Sequence, residues 1–315
     1  MKKRLKLLTV VLCLTFFAAM AIGSGSTGSG EGKEISSVGN ESEEKEESSK
    51  EEVISKEAEK EETSADDATA VSIEEQVLYD ENDIKITATG IEDGWLGTEL
   101  KLLIENNTDQ SITVQAKNAN VNGYMVTTMM SADVAAGKKA NDLLTFETSG
   151  LKECGIDSIA TMEFAFHIFD AESWDDIVDT EMIKIETSIA ESYTQTYDDS
   201  GEVLVDSNGI KIVGKGLSAD DSFWGPGVIL YIENNTDQDV TVQTRDVSVN
   251  GFMTEASMSE DIVAGKRAIS AVQFYSSDLE ENSIEDITDV ELYFHIFDLE
   301  SWEDIFDSDV ISISF

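Results

Sequence analysis

Residues Met162–Phe169 read MEFAFHIF, and residues Val290–Phe297 read VELYFHIF 128 positions further along the chain. Apolar side chains recur at every second position from Met162 to Ile168, and the second stretch repeats this pattern. A period of two places alternate side chains on opposite faces of an extended strand, so that one face is buried and the other meets solvent. The two stretches therefore predict β-strands, and their recurrence predicts a duplicated domain.

The repeat extends well beyond these strands. Residues 97–185 align without a gap on residues 225–313 at the offset of 128, and about half of the positions are identical. Upstream the offset falls to 126, which predicts a variable loop near Trp95. A repeat of this length is a whole domain, since solenoid repeats span only about 20–50 residues. We predict one domain over residues 76–187 and another over residues 202–315, joined by a linker of residues 188–201.

Turn signals separate the predicted strands. Asn122-Gly123 and Asn250-Gly251 predict type I′ hairpins, and Leu151–Ile159 predicts a short helical turn. Several short antiparallel strands in each copy are typical of a β-sandwich. The predicted fold class is therefore all-β, with two tandem immunoglobulin-like antiparallel β-sandwiches after a signal peptide and a disordered acidic tether.

Each copy carries the same series of turn and strand motifs. In the second copy these motifs are Glu233–Asp237 (ENNTD), Val249–Met253 (VNGFM), Val263–Lys266 (VAGK) and Phe294–Asp298 (FHIFD). Through these motifs, each copy resembles an immunoglobulin-like domain of unknown function from secreted proteins and lipoproteins of Gram-positive bacteria. This domain is similar in style to the telokin-like secreted antigens. The resemblance implies the sandwich fold and a surface location, and it implies no catalytic residues.

The N-terminus predicts export. Basic residues within Lys2–Lys6 precede an apolar run from Leu7 to Ile22, which is the pattern of a secretory signal peptide over residues 1–23. The alternative is a membrane anchor, but the run is shorter than the about 20 residues that a span needs. The segment also resembles a bacterial lipoprotein signal, yet Ser24 stands where the lipidated cysteine belongs, which places a lipid anchor in doubt. We expect a secreted or cell-envelope protein with no transmembrane span in the mature chain.

Residues 24–75 differ in composition from the rest of the chain. They begin rich in Gly and Ser, and residues 31–75 then hold 17 acidic residues and 5 lysines. Low hydrophobicity combined with high net charge is the compositional signature of disorder. We predict an extended acidic tether over this segment, stretched by its own charge repulsion.

Composition limits the classes of partner. The chain has 315 residues and a net charge of −44, which disfavours nucleic acid because that affinity depends on basic side chains. Two histidines and two cysteines leave little for zinc or haem. We expect a monomer with no cofactor except, as one alternative, calcium. Cys154 is the single thiol left after processing, and we predict that it is inert.

The loop after each repeated strand combines acidic residues with a tryptophan. Its carboxylates are calcium candidates, although their spacing matches no EF-hand and a solvated acidic rim is the alternative: Asp170, Asp175, Asp176, Asp179, Asp298, Asp304 and Asp307. Aromatic side chains often anchor interfaces, so the candidate partner-binding residues are Trp95, Trp174, Trp224 and Trp302. For Trp95 and Trp224 the alternative is that the ring closes one end of the core.

His167 and His295 occupy equivalent positions on the strand face opposite the apolar stripe. A nucleophile-elbow motif accompanies neither of them, so we predict that each is a structural histidine paired to a carboxylate. No residue is assigned a catalytic role.

Together these features predict a non-enzymatic, secreted or cell-surface binding or adhesion module of unknown ligand. The candidate partners are an envelope protein, a cationic peptide or a glycan. One alternative is a structural spacer that presents no specific site. A second alternative is a calcium-binding surface protein that uses the Asp170–Asp179 and Asp298–Asp307 loops.

Overall fold

The computed structural model describes residues 71–218 and 226–315. The predicted signal peptide, the predicted tether up to residue 70, and Trp224 lie outside the described residues. In the first copy the helix α1 spans Thr148–Glu153, and the strands are β1 (Gln76–Glu81), β2 (Ile84–Asp93), β3 (Gly97–Asn106), β4 (Ile112–Val121), β5 (Tyr124–Met125), β6 (Thr128–Met129), β7 (Ser131–Val134), β8 (Lys138–Glu147), β9 (Thr161–Asp170), β10 (Asp176–Asp179) and β11 (Ile183–Glu186).

The second copy repeats this order. Its helix α2 spans Ser276–Glu281, and its strands are β12 (Glu202–Ser207), β13 (Ile210–Leu217), β14 (Gly227–Asn234), β15 (Val240–Val249), β16 (Phe252–Met253), β17 (Ala256–Ser257), β18 (Ser259–Ile262), β19 (Arg267–Phe274), β20 (Asp289–Asp298), β21 (Asp304–Asp307) and β22 (Ile311–Ser314).

The strands of the first copy form two antiparallel sheets packed face to face. One sheet has the order β1-β2-β3-β8-β6, and the other has the order β10-β9-β4-β5, with β11 beside β9 and β7 beside β4. Ile86 and Leu102 from the first sheet share a buried core with Val114 and Phe166 from the second. The alternation in β9 thus places Phe166 in the core, and the predicted all-β sandwich fold is confirmed.

The second copy has the same architecture. Its sheets have the orders β12-β13-β14-β19 and β16-β15-β20-β21, with β17 beside β19, β18 beside β15 and β22 beside β20. Ile212 and Leu230 pack against Val242 and Phe294 in a separate core.

Residues that accept a positive φ angle determine where the chain turns in the first sandwich. Asn122 and Gly123 have φ angles of 50° and 86°, and the predicted type I′ hairpin is present between β4 and β5. The predicted helical turn is displaced, because α1 begins at Thr148 and ends before Gly155, whose φ of 62° cannot continue a helix. Leu151 still packs into the core from this helix.

The two sandwiches meet in what we call the joint. Its centre is Tyr124, which is 1% exposed. The Tyr124 ring packs edge-on against Tyr231 of the second sandwich and against Tyr197 of the connecting segment, with ring centroids 6.4 Å and 5.4 Å away. Strand β5 also lies parallel to β19, and the Arg267 amide donates to the Gly123 carbonyl at 3.0 Å. The joint therefore links one sheet of each sandwich within a single compact unit.

Charged groups complete the joint. The Arg267 guanidinium donates to Glu233 at 2.6 Å and lies 4.0 Å from the centre of the Tyr197 ring. The Tyr197 hydroxyl in turn donates to the Asn122 carbonyl at 2.8 Å. The segment predicted as a linker, residues 188–201, is therefore packed against both sandwiches through Tyr197.

The end of the predicted tether also contacts the first sandwich. The Ser188 amide donates to the Ser72 carbonyl at 2.8 Å, and Ile73 packs against the first core. Residues 72 and 73 therefore belong structurally to the sandwich that follows them.

Candidate functional site

The loop after β9 is held by its first carboxylate. Asp170 Oδ1 accepts the amide protons of Glu172 and Ser173 at 2.9 Å and 2.7 Å, and the Trp174 amide donates to the Asp170 carbonyl. These backbone hydrogen bonds lower the pKa of Asp170. This calcium candidate therefore stabilises its own turn, and Asp298 does the same in the second copy.

The tryptophan in this loop has an unfavourable backbone conformation. Trp174 has a φ of 65° and Trp302 a φ of 61°, which costs a bulky residue about 1–2 kcal/mol. The two side chains are 74% and 67% exposed. The same strained position and the same exposed ring thus occur in both copies.

Within the described part of the chain, each of these two tryptophans stacks on one aromatic ring. The Trp174 ring lies 5.6 Å from the Phe169 ring at an interplanar angle of 18°, and the Trp302 and Phe297 rings have the same separation at 19°. Phe169 and Phe297 are each 5% exposed, so the phenylalanine is the buried support and the tryptophan offers its other face to solvent.

The histidines extend the aromatic stack. The His167 ring lies 5.1 Å from the Phe169 ring. His167 Nδ1 is 2.7 Å from Asp179, and Nε2 is 3.5 Å from Asp176. Each histidine is therefore paired to carboxylates, as predicted. The second copy repeats the arrangement with distances of 2.6 Å and 3.4 Å, and its residues are His295, Phe297, Asp304 and Asp307.

We call each set of Trp, Phe, His and neighbouring acids a tryptophan site. The first site consists of His167, Phe169, Trp174, Asp175, Asp176 and Asp179, with Glu172 at its rim. The second consists of His295, Phe297, Trp302, Glu303, Asp304 and Asp307, with Glu300 at its rim. The rim acids are exposed in both.

The two tryptophan sites differ in one cation. Lys117 lies 2.8 Å from Asp179, whereas the equivalent Arg245 donates to Gln243. Burial raises the pKa of Asp179, but hydrogen bonds from Lys117 and His167 outweigh it and the pKa is lowered. The first site is thus partly neutralised by its own lysine, and the second site is the more acidic.

A flat aromatic face beside exposed carboxylates fits a positively charged group. Cation–π contact contributes about 0.5–1 kcal/mol at an exposed ring and about 2 kcal/mol when it is desolvated. Carboxylates at the rim add attraction that weakens with salt. Chemically, each tryptophan site suits a lysine or arginine side chain.

The other predicted residues are placed elsewhere. Trp95 is 93% exposed, so the alternative in which it closes the core is wrong. Trp95 lies in the β2–β3 turn, beside Leu96, whose carbonyl accepts the Thr148 amide. Trp174 lies at the opposite end of the sandwich, where the Ala171 amide donates to Ser111. The structure does not bring these two tryptophans together.

Among the described residues, no group of three or more His, Cys, Asp and Glu side chains is placed to hold a metal ion. Cys154 is 7% exposed, and burial raises the pKa of its thiol to about 12. In residues 71–218 and 226–315, no helix has the length and apolar character needed to cross a membrane.

Sequence reasoning missed Phe169 and Phe297. The available signal is that each phenylalanine stands at an outward position of an alternating strand, where a polar residue is expected. An apolar residue on the solvent face needs cover, and here the tryptophan five residues later supplies it.

The fold and the paired sites define an all-β protein of two sandwiches with a duplicated aromatic and acidic surface. No protein-family model matches the chain, and no curated protein matches it. Among solved structures, the YadV chaperone is similar at 12% identity and a TM-score of 0.23, covering 74% of this chain and 100% of its own. A Salmonella enterica SafA pilin in complex with the SafB chaperone is similar at 12% identity and a TM-score of 0.21, covering 69% and 89%. At these TM-scores the similarities carry no functional argument.

Proposed function

We propose that this chain is a non-enzymatic, secreted or surface-associated binding module whose two tryptophan sites bind lysine or arginine side chains of an envelope protein. The observation that carries the proposal is the exposure of Trp174 and Trp302 on equivalent strained turns. A residue that served only to cover Phe169 or Phe297 would need neither that degree of exposure nor surrounding acids. The predicted signal peptide and the resemblance to domains of secreted Gram-positive proteins support a secreted or surface-associated location.

Charge favours a cationic partner over a neutral glycan. The net charge is −14 for residues 76–190 and −22 for residues 191–315, and exposed acidic residues flank both tryptophans in the chain. Such a field increases the rate of encounter with a cationic partner. Two sites on one chain would also raise the apparent affinity for a partner that carries several cations, since the second contact becomes intramolecular.

The surroundings of the histidines support a binding role without catalysis. Among the described residues, the hydrogen-bond and ion-pair partners of the His167 ring are Asp176 and Asp179, so the ring has no hydroxyl or thiol to activate. The buried Cys154 thiol, with its raised pKa, is also a poor nucleophile.

The test is a titration with a lysine-rich peptide and, separately, with a neutral oligosaccharide, followed by calorimetry at several salt concentrations. We expect the peptide to bind and its affinity to fall as salt rises. The double variant Trp174→Ala and Trp302→Ala should lose about tenfold or more in affinity, given the non-additive cost of removing aromatic anchors. Trp95→Ala is the matched control, because it removes an exposed tryptophan outside both sites.

Other outcomes would replace the proposal. Salt-independent binding of the oligosaccharide, lost in the double variant, would make the partner a glycan. The spacer alternative has support of its own, since the packed joint fixes the two sandwiches together. It would be favoured if neither probe bound and the double variant adhered to whole cells like the parent protein. A protein found only in the cytoplasm after fractionation would contradict the proposed location.

A further inference from the structure

The hairpin at the centre of the joint exists twice, but only one copy of it is buried. Tyr124 is 1% exposed, and Met125 packs against the core of the second sandwich. Their equivalents in the second copy are Phe252 and Met253, which are 49% and 67% exposed. Both hairpins have the same Asn-Gly turn with positive φ. The second sandwich therefore presents an apolar docking element that has no partner within the described part of the chain.

The surface that receives the hairpin also exists twice. In the joint, β5 pairs with the edge of β19 at Arg267. The equivalent residue of the first sandwich is Lys139 on β8. Strand β8 pairs with β3 along its whole length, but β6 covers its other edge only at Thr145 and Phe146. Among residues 71–218 and 226–315, no strand pairs with the β8 edge around Lys139, so this edge is available to another chain.

The charged residues that pair across the joint also occur at the equivalent positions of the other sandwich. Glu163 lies 2.5 Å from Lys266 across the joint. Their equivalents are Glu291 and Lys138, and both of these are exposed. Glu105 and Lys139 form an ion pair that repeats the Glu233–Arg267 pair beside the joint. The opposite charges needed for a second joint are thus present, the lysine on the first sandwich and the glutamate on the second.

We propose that the second sandwich of one chain docks on the first sandwich of a second copy, with Phe252 and Met253 against the β8 edge and Glu291 paired to Lys138. The contact repeats the internal joint between molecules and departs from the monomer expected from the sequence. Because it joins two different surfaces, it is head-to-tail, and it produces rings or open filaments depending on whether the rotation closes.

This contact is weaker than the internal joint. Tyr231 is replaced by Leu103, Val213 by Thr87 and Ile269 by Asn141 on the receiving face, so less apolar area is available. A contact between chains also lacks the Tyr197 ring against Arg267. The net charge of −44 adds repulsion between molecules. We therefore expect association that rises with protein concentration and with moderate salt, which screens the long-range repulsion.

The experiment is analytical ultracentrifugation of the full chain at protein concentrations from micromolar to millimolar. The weight-average mass of the parent protein should rise with concentration. Phe252→Asp should remain at the monomer mass. Val310→Asp is the matched control, because Val310 is 71% exposed and lies outside the hairpin, and it should behave like the parent.

A charge exchange tests the orientation. Each single variant, Lys138→Glu or Glu291→Lys, should weaken association by about tenfold, which corresponds to about 1.4 kcal/mol. The double variant should restore association. We expect each variant to fold, because positions 138 and 291 are both exposed. Thermal melts will check this. The proposal is overturned by a parent that stays monomeric at every concentration, by association that Phe252→Asp leaves intact, or by a double exchange without recovery. The Trp174→Ala and Trp302→Ala variant should associate like the parent, so the test is independent of the proposed binding function.

Discussion

The Glu163 carboxylate and the Lys266 ammonium group are 2.5 Å apart although 103 residues separate them in the chain. Glu163 belongs to β9 of the first sandwich, and Lys266 immediately precedes β19 of the second. Their side chains are 21% and 18% exposed, so each charge has lost much of its contact with water. Removing one partner leaves a poorly hydrated charge, which costs more than the pair contributes as a whole.

Glu163→Gln and Lys266→Met should each lower the free energy of unfolding by about 1–2 kcal/mol, between the values for exposed and buried pairs. A double-mutant cycle in urea measures their coupling, which we expect to be about 1 kcal/mol. Lys184→Met is the control, because its pair with Glu186 is exposed at both ends. A change in the control as large as that in Lys266→Met would contradict the assignment.

Tyr124→Ala should destabilise the protein by about 3–5 kcal/mol, because it removes a fully buried aromatic ring. It should also separate the thermal transition into two, since the ring joins the sandwiches. The equivalent Phe252→Ala should cost less than about 1 kcal/mol in dilute solution, where this residue is exposed. Calorimetry measures both quantities, and equal costs for the two variants would be inconsistent with the joint.

Glu260 should make stability depend on pH. It is half-buried beside a cavity of about 350 Å³ at the joint, with Glu153, Cys154 and Asp261 around it. Burial raises the pKa of Glu260 to about 7, despite a hydrogen bond with Ser270. The folded state therefore disfavours the ionised form. The contribution of Glu260 to the stability of the folded state is therefore fully present below about pH 4.5 and is lost as the pH rises through about 7.

Glu260→Gln should be more stable than the parent at pH 8, by up to roughly 3 kcal/mol, and nearly equal to it at pH 4. Urea unfolding at both pH values measures this difference. The control is Glu255→Gln, which changes an exposed acid outside the lining of this cavity. A Glu260→Gln variant with the same pH dependence as the parent would show that Glu260 is not the titrating group.

Millimolar calcium should change the melting temperature no more than magnesium at the same concentration. The reason is that Asp170 is bound to backbone amides and Asp179 to His167 and Lys117. A ligand specific for the folded state would raise the midpoint. A calcium-specific rise of several degrees, lost in Asp170→Asn and Asp298→Asn, would instead support the calcium-binding alternative.

The sequence predicted the structural units because they depend on local physics. The alternation in Met162–Phe169 requires one buried strand face, and Asn122-Gly123 accepts the positive φ of a tight hairpin. The duplication then predicted that both features occur twice. The tryptophan sites were only partly predicted: Trp174 and its acids were candidates, but the stacking of Trp174 on Phe169 depends on a turn conformation that residue pattern alone does not specify.

The sequence by itself determined two β-sandwiches with equivalent hairpins, since strand period and turn chemistry act over a few neighbouring residues. Only the tertiary structure decided that Tyr124 is buried and Phe252 is exposed. The two hairpins have nearly the same sequence, so their own residues cannot distinguish them. Burial depends on the surface that lies opposite, and for Tyr124 that surface is Tyr231, more than a hundred positions away in the chain.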